Sequence, residues 1–307
     1  MVLMTTSSSS NAGSSPGNGA DRNADRCADK SADKSADKSA DDDASRPQAR
    51  WLRIGLPLLL IALALLAWEW LVRANNIPHY VIPAPSLVLQ TLVTEWPSLA
   101  ASWWFTIKLT ASALLVAIAG GVLLAGVFSL SRWVELAFLP FAVVLQVTPI
   151  IAIAPLILIY VDSTFAALLL CAWLVAFFPI LSNTVIGLRS ADHNLRDLFT
   201  LYKASPWQRL RLLLAPSALP FFLGGLKIAG GLSLVGAVAA EFVAGSAGKD
   251  TGLASRVLEA SFRNEIPRMF AALLLISLTG VAIFIAFNAL SHWLLGRWHD
   301  SELPTER

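Results

Sequence analysis

Residues 269–295 read MFAALLLISLTGVAIFIAFNALSHWLL, without one Asp, Glu, Lys or Arg. A helix crossing the hydrocarbon of a bilayer needs roughly 20 mostly apolar residues, and this run exceeds that length. On either side of the same criterion, five more stretches qualify: 54–72, 105–130, 134–161, 163–188 and 218–242. The expected fold class is therefore all-α, a polytopic membrane protein of about six transmembrane helices. Within 134–161 the residues Pro140, Pro149 and Pro155 each remove a backbone donor and favour a kink or an unwound turn. Lipid tolerates such a break only where protein or a water-filled path satisfies the freed groups, which places this span inside the bundle, near a pathway.

Composition agrees and excludes other classes. Of 307 residues, 56% are hydrophobic and 14% charged, too apolar a balance for a soluble domain of this size. The net charge of +2 forms no basic face interleaved with aromatics, so nucleic acid is not an expected partner. Cys27 and Cys171 show no CxxC or Cys/His spacing, which argues against a disulfide framework and a metal site. His79, His193, His292 and His299 fall in loops or near span ends, as solvated interface histidines do.

The chain divides by composition into a tail (1–50), a transmembrane domain (51–300) and a short C-terminal tail (301–307). The first segment is Ser/Asn/Gly-rich, then repeats Ala-Asp-Lys-Ser over 28–39 and ends in Asp41, Asp42 and Asp43. It has almost nothing to bury and is expected to be disordered and cytoplasmic. No apolar core with a small-residue cleavage site precedes Trp51, so the first apolar run is read as an anchor.

Lys and Arg set the orientation. With both termini in the cytoplasm, Arg46, Arg50, Arg53, Arg132, Arg189, Arg196, Lys203, Arg209, Arg211 and Arg297 lie inside, against Arg73, Lys249, Arg256, Arg263 and Arg268 outside. Trp68, Trp70, Trp103 and Trp104 fit an aromatic belt at the outer headgroups, where Glu69 would reach water. In 218–242 a stripe of small residues, Gly225, Ala229, Ser233 and Ala237, ends in Glu241. It reads either as close helix packing or as the lining of a polar solute path with Glu241 near its mouth. Gln146, Thr148 and Asn183 are further path candidates, and interhelical hydrogen bonds explain them equally well.

The loop 190–216 carries the most information. Leu195, Leu198, Phe199 and Tyr202 share one face of a short helix, with Arg196, Asp197, Thr200 and Lys203 on the other. Ala204-Ser205-Pro206-Trp207-Gln208 then starts a second helix: Ser205 caps it, Pro206 suits its first position and Gln208 closes a capping box. Trp207, Leu210 and Leu214 line its apolar face while Arg209 and Arg211 stay wet, and Pro216 and Pro220 mark where the next span begins.

Asp197-Leu198-Phe199, Ala204-Ser205, Trp207-Gln208 and the run from Leu214 through Pro220 resemble the EAA loop of ABC-transporter permeases of the binding-protein-dependent import class. The similarity runs from about Trp51 to Ser301. It is nearest the nitrate/sulfonate/taurine branch, with Asn183, Thr184, Gly187 and Tyr202-Lys203-Ala204-Ser205 leaning to members that import thiamine-precursor pyrimidines or riboflavin. That resemblance implies an inner-membrane subunit, working as a homodimer, that takes its solute from a periplasmic or lipid-anchored binding protein. Its coupling helices would dock in a groove of separate ABC ATPase subunits. Two departures stand out: Asp197-Leu198-Phe199 replaces Glu-Ala-Ala, and Lys203 stands where glycine is usual, which makes a left-handed turn costly there. Gly248-Lys249 is followed by Asp250, and Val243 occupies the position of the required P-loop glycine, so ATP and Mg are expected on the ATPase and no cofactor on this chain. An ion-coupled secondary carrier is the alternative, but neither inverted repeats nor midplane carboxylates are evident.

Overall fold

The computed structural model describes residues 46–245 and 251–295. The tail 1–45, the segment 301–307, Lys249 and Arg297 lie outside the described residues, and so do the expectations placed on them. The chain falls into two units, Met1–Ala67 and Trp68–Arg307. In the first, the described residues are the beginning of helix α1 (Arg46–Ala74), which starts five residues inside the segment read as tail. Once an apolar helix is nucleated, each added residue costs little, and Pro47 suits a first turn. Its side chains from Leu56 to Leu66 are exposed and apolar, a surface suited to lipid.

The second unit contains the end of α1, then α2 (Pro85–Thr94), α3 (Trp96–Leu130), α4 (Arg132–Val147), α5 (Ile150–Tyr160), α6 (Thr164–Arg189), α7 (His193–Leu201), α8 (Pro206–Arg209), α9 (Ala215–Ala244), α10 (Leu253–Phe262) and α11 (Ile266–Leu295). Among the described residues, five helical stretches are long and apolar enough to cross a membrane, and a sixth span results if α4 and α5 count together. That pair is bent by 101°. The break falls at Thr148, which is extended (φ −68°, ψ 123°), because a residue before proline is driven out of the helical region. Pro140 and Pro155 stay inside helices, so one of the three prolines makes the break.

Spans α6 and α9 pack antiparallel at the centre of the unit, and small residues let them approach. A Cβ on Gly187 would lie 2.8 Å from Ala218 Cα, one on Gly225 2.8 Å from Asn183 Cβ, and one on Gly236 3.0 Å from Ala172 Cα. At the end carrying α7, the core joins Phe128, Leu188, Ala218 and Leu295. At the opposite end, Val88, Leu99, Leu253, Val257 and Leu275 knit α2, α3, α10 and α11 together.

The short helix α2 went unread in the sequence, and its anchor explains Glu69. Ser86 donates both its amide (3.0 Å) and its hydroxyl (2.8 Å) to the Glu69 carboxylate, which also pairs with Arg73 at 2.5 Å. Rather than serving only headgroup water, Glu69 holds the first turn of a helix.

Candidate coupling loop and solute path

The loop between α6 and α9 is built by its caps. Asp192 Oδ1 accepts the Asn194 amide at 2.8 Å to start α7, and His193 Nδ1 lies 3.0 Å from Asp197 Oδ2 one turn on. At the other end of α7, Ala204 N donates to Phe199 O and Lys203 N to Thr200 O, both at 3.0 Å. This is a Schellman closure, and Lys203 sits at its left-handed position with φ 50°. A non-glycine residue in this conformation costs about 1–2 kcal/mol.

The capping box at Ser205 is present: Gln208 N donates to Ser205 Oγ (3.2 Å) and Ser205 N to Gln208 Oε1 (2.8 Å). Beyond it, the expected separate helix is not formed. α8 passes through a π turn, Leu210–Leu214, straight into α9, so that Pro206–Ala244 is one helical rod. Pro216 cannot donate to a carbonyl four residues back, and a wider turn just before it accommodates the ring. The extra residue per turn also rotates the face. Leu210 and Leu214 pack on the core, while Trp207 projects, 67% exposed. Of the predicted apolar face of Trp207, Leu210 and Leu214, only Trp207 is exposed, and Leu212, which the sequence reading did not include, is exposed at 64%. Leu198 and Leu201 of α7 and Tyr202 just beyond it are exposed as well, and Phe199 is partly buried. Leu201 was not picked out in sequence because it is one position off the helical stripe.

Two arginines fix this loop to the spans. Arg196, expected on the wet face of α7, turns back to donate from Nη2 to Leu188 O (3.0 Å) and Arg189 O (2.8 Å), covering open carbonyls at the end of α6. Arg189 forms an ion pair with the buried Glu135 of α4. Sequence reasoning missed Glu135, whose partner stands 54 residues away.

The small-residue stripe does not face an open path. Gly225, Ala229, Ser233, Ala237 and Glu241 are all buried within this chain, and Ser233 Oγ bonds Gly230 O at 2.8 Å. In this chain the stripe is packed against α6 at Gly225 and against α3 and α6 at Ala237 and Glu241. Glu241 is 1% exposed: Thr106 Oγ1 donates to its Oε1 at 2.9 Å and Ala254 N to its Oε2 at 3.0 Å. Leu253 N completes the group on Thr106 Oγ1 at 2.9 Å. Glu241 therefore holds the N-terminus of α10 and is withdrawn from the set of path residues. Glu69 and Glu241 have the same task at α2 and α10, each accepting the amide of the helix's second residue.

The open side of α9 is a different one. Gly224, Lys227, Ile228, Gly231 and Val235 recur at helical spacing; Ile228, Gly231 and Val235 are exposed, and a Cβ on Gly224 or Gly231 would meet nothing within 4 Å. Lys227 lies about 18 Å along α9 from its start, deep in the span. A lysine at that depth is a signal available in sequence that the small-residue stripe obscured. Gln146 and Thr148 line a cavity of about 330 Å³ at the α4–α5 break, together with Val175, Pro179 and Leu232. Thr148 Oγ1 donates to Val144 O at 2.7 Å, and Asn183 Nδ2 to Pro179 O at 2.8 Å. Asn183 thereby backs the α6–α9 contact at Gly225, while Gln146 and Thr148 remain at the cavity. No cluster of three or more His, Cys, Asp or Glu able to hold a metal occurs among the described residues.

An all-helical bundle of spans with an exposed helix–turn–helix between its two most intimately packed members has the architecture of an ABC-transporter permease. The chain belongs to the family of binding-protein-dependent transport system inner membrane components, which it matches over residues 117–298. It is 32% identical over 267 residues to the riboflavin transport system permease protein RibX of Chloroflexus aurantiacus, covering 84% of this chain and 94% of that protein. To the formylaminopyrimidine transport permease protein ThiX of Halalkalibacterium halodurans it is 31% identical, over 78% of this chain and 94% of the relative. A probable ABC transporter permease protein of Haemophilus influenzae matches at 30% identity over 80% of this chain and 98% of its own length. The crystal structure of an amino acid ABC transporter has a chain with the same fold at 16% identity, TM-score 0.54, covering 68% of this chain and 97% of that one. The protein is a multi-pass membrane permease subunit of an ABC importer, a transport component and not a catalyst.

Proposed function

We propose that two copies of this chain enclose a solute path in the inner membrane, with both termini and the 190–216 loop in the cytoplasm. Separate ABC ATPase subunits bind the loop and carry the ATP and Mg. The observation that carries the reading is the rod Pro206–Ala244. Its first turn holds the exposed Trp207 and its middle holds the open Gly224–Lys227–Gly231 face, so a push at the loop reaches that face along one continuous helix, through the π turn. An ion-coupled carrier has no use for such a lever.

The solute is a small polar heteroaromatic delivered by a periplasmic or lipid-anchored binding protein, with a thiamine-precursor pyrimidine ahead of riboflavin and of an alkanesulfonate. Support comes from the names of the riboflavin and formylaminopyrimidine relatives. Growth of a pyrimidine auxotroph on limiting precursor, with and without the gene, tests the solute. Loss of growth is expected on deletion; equal growth with lost sulfonate use would overturn the pyrimidine assignment.

A further inference from the structure

We propose that this chain binds one acidic phospholipid where the loop meets the spans, its phosphate on Arg196 and Arg209 and one acyl chain in a groove along α3. Going beyond the transport reading, this requires only that the spans lie in a bilayer.

The headgroup side is a cavity of about 760 Å³ lined by Glu135, Arg189, Arg196 and Arg209, with Ala204 and Pro206 of the loop on its wall. Its charges do not balance. Glu135 is taken by Arg189. Arg196 spends Nη2 on two backbone carbonyls, which leave its charge unneutralised. Arg209 is half-buried, and its guanidinium makes no ion pair or hydrogen bond among the described residues. Two guanidinium groups therefore face the cavity with no carboxylate to neutralise them, and a phosphate diester supplies the acceptor oxygens that their planar N–H groups match. Basic pockets between spans at a membrane surface suit acidic headgroups for this reason.

The chain side adjoins it. A second cavity of about 540 Å³, with an almost wholly apolar lining, shares Leu130 and Leu188 as walls with the first. It runs along α3 from Leu130 past Val127, Gly126 and Leu123 to Val122, about 12 Å of helix, with Trp207 on its wall. A charged compartment opening onto an apolar trough that follows a span fits a lipid in dimension and in polarity. A zwitterionic lipid brings its own cation against the arginines, so an acidic headgroup is selected. Because Ala204 and Pro206 share the cavity, a bound phosphate braces the loop against α4 and α6.

The test is native mass spectrometry of the full-length chain in detergent, titrated with phosphatidylglycerol, phosphatidylcholine or inorganic phosphate. The expected result is one retained phosphatidylglycerol per copy, at least tenfold preferred over phosphatidylcholine. Arg209→Gln should lose retention about tenfold, and Arg211→Gln, on an exposed residue outside the cavity, should keep it. Gly126→Leu separates a lipid from a free anion: no atom stands within 4 Å of a Cβ there, so the side chain fills the groove without disturbing the helix. It should abolish lipid retention while Arg209 remains. Undiminished retention in Arg209→Gln, or equal retention of phosphatidylcholine, would overturn the proposal. So would a wild-type response in Gly126→Leu, which would assign the arginines to free phosphate.

Discussion

The Glu241 carboxylate accepts the Ala254 amide at 3.0 Å, so the last turn of α9 holds the first turn of α10. Gly252 lies so close against that carboxylate that no Cβ fits between them. Gly252→Ala is expected to displace Glu241 and cost about 1–3 kcal/mol, the scale of a buried acceptor losing its donors. Thermal unfolding of the purified chain should show it, with hydrogen exchange quickened in α10 and unchanged in α7. Wild-type stability in Gly252→Ala would mean that the carboxylate is not confined as described.

Lys203 occupies the left-handed position of the α7 closure at φ 50°. Lys203→Gly should relieve about 1 kcal/mol of backbone strain and slow exchange of the Ala204 amide about fivefold, while Lys203→Val should do the reverse. Equal exchange in all three chains would remove the strain argument.

Glu259 on α10 is hydrogen-bonded to Arg256 (2.8 Å) and lies near Arg263 and Arg268, which together hold its carboxyl below the usual carboxylate range. A depressed folded-state pKa gives stability that is present above the unfolded value near 4.5 and disappears as pH falls through the folded one. Amide protection of α10, corrected for intrinsic exchange, should therefore be lower in Glu259→Gln than in wild type at pH 7. The difference should vanish on acidification below the carboxylate range. A difference that persists in acid would show that the pair contributes through packing and not through charge.

The open face of α9 gives a topological prediction for the two-copy assembly. Cysteines at Ile228 or Gly231 should cross-link between copies in membranes, and cysteine at Ser233, buried against α6, should not. Lys227→Met should reduce uptake at least tenfold with membrane level unchanged. Cross-linking at Ser233 alone, or full uptake in Lys227→Met, would move the path elsewhere.

The spans were legible because each is a long apolar run, a signal that needs no tertiary information. That the 134–161 span is broken was legible from its prolines, though not which of the three makes the break, and the Ser205 cap was legible from its own residues. The faces were not. Whether Gly225 to Glu241 or Gly224 to Val235 is the open side of α9 depends on where α6 lies, and both sides carry small residues. Glu135 with Arg189, and Glu241 with Thr106, join positions far apart in sequence, which no local pattern marks. The π turn at Leu210–Leu214 moved Leu210 from the docking face to the core, a rotation that a regular helical period cannot foresee.

If the 190–216 loop transmits ATPase motion through Trp207, removing that ring must loosen the ATPase. Pull-down of the ATPase at matched membrane levels, with uptake assayed in parallel, measures this. Trp207→Ala should weaken association about thirtyfold or more, as loss of an aromatic interface anchor does, whereas Ser205→Ala, a lost cap worth about 1 kcal/mol, should weaken it several-fold at most. Wild-type association and uptake in Trp207→Ala would contradict the claim that this loop is the coupling element.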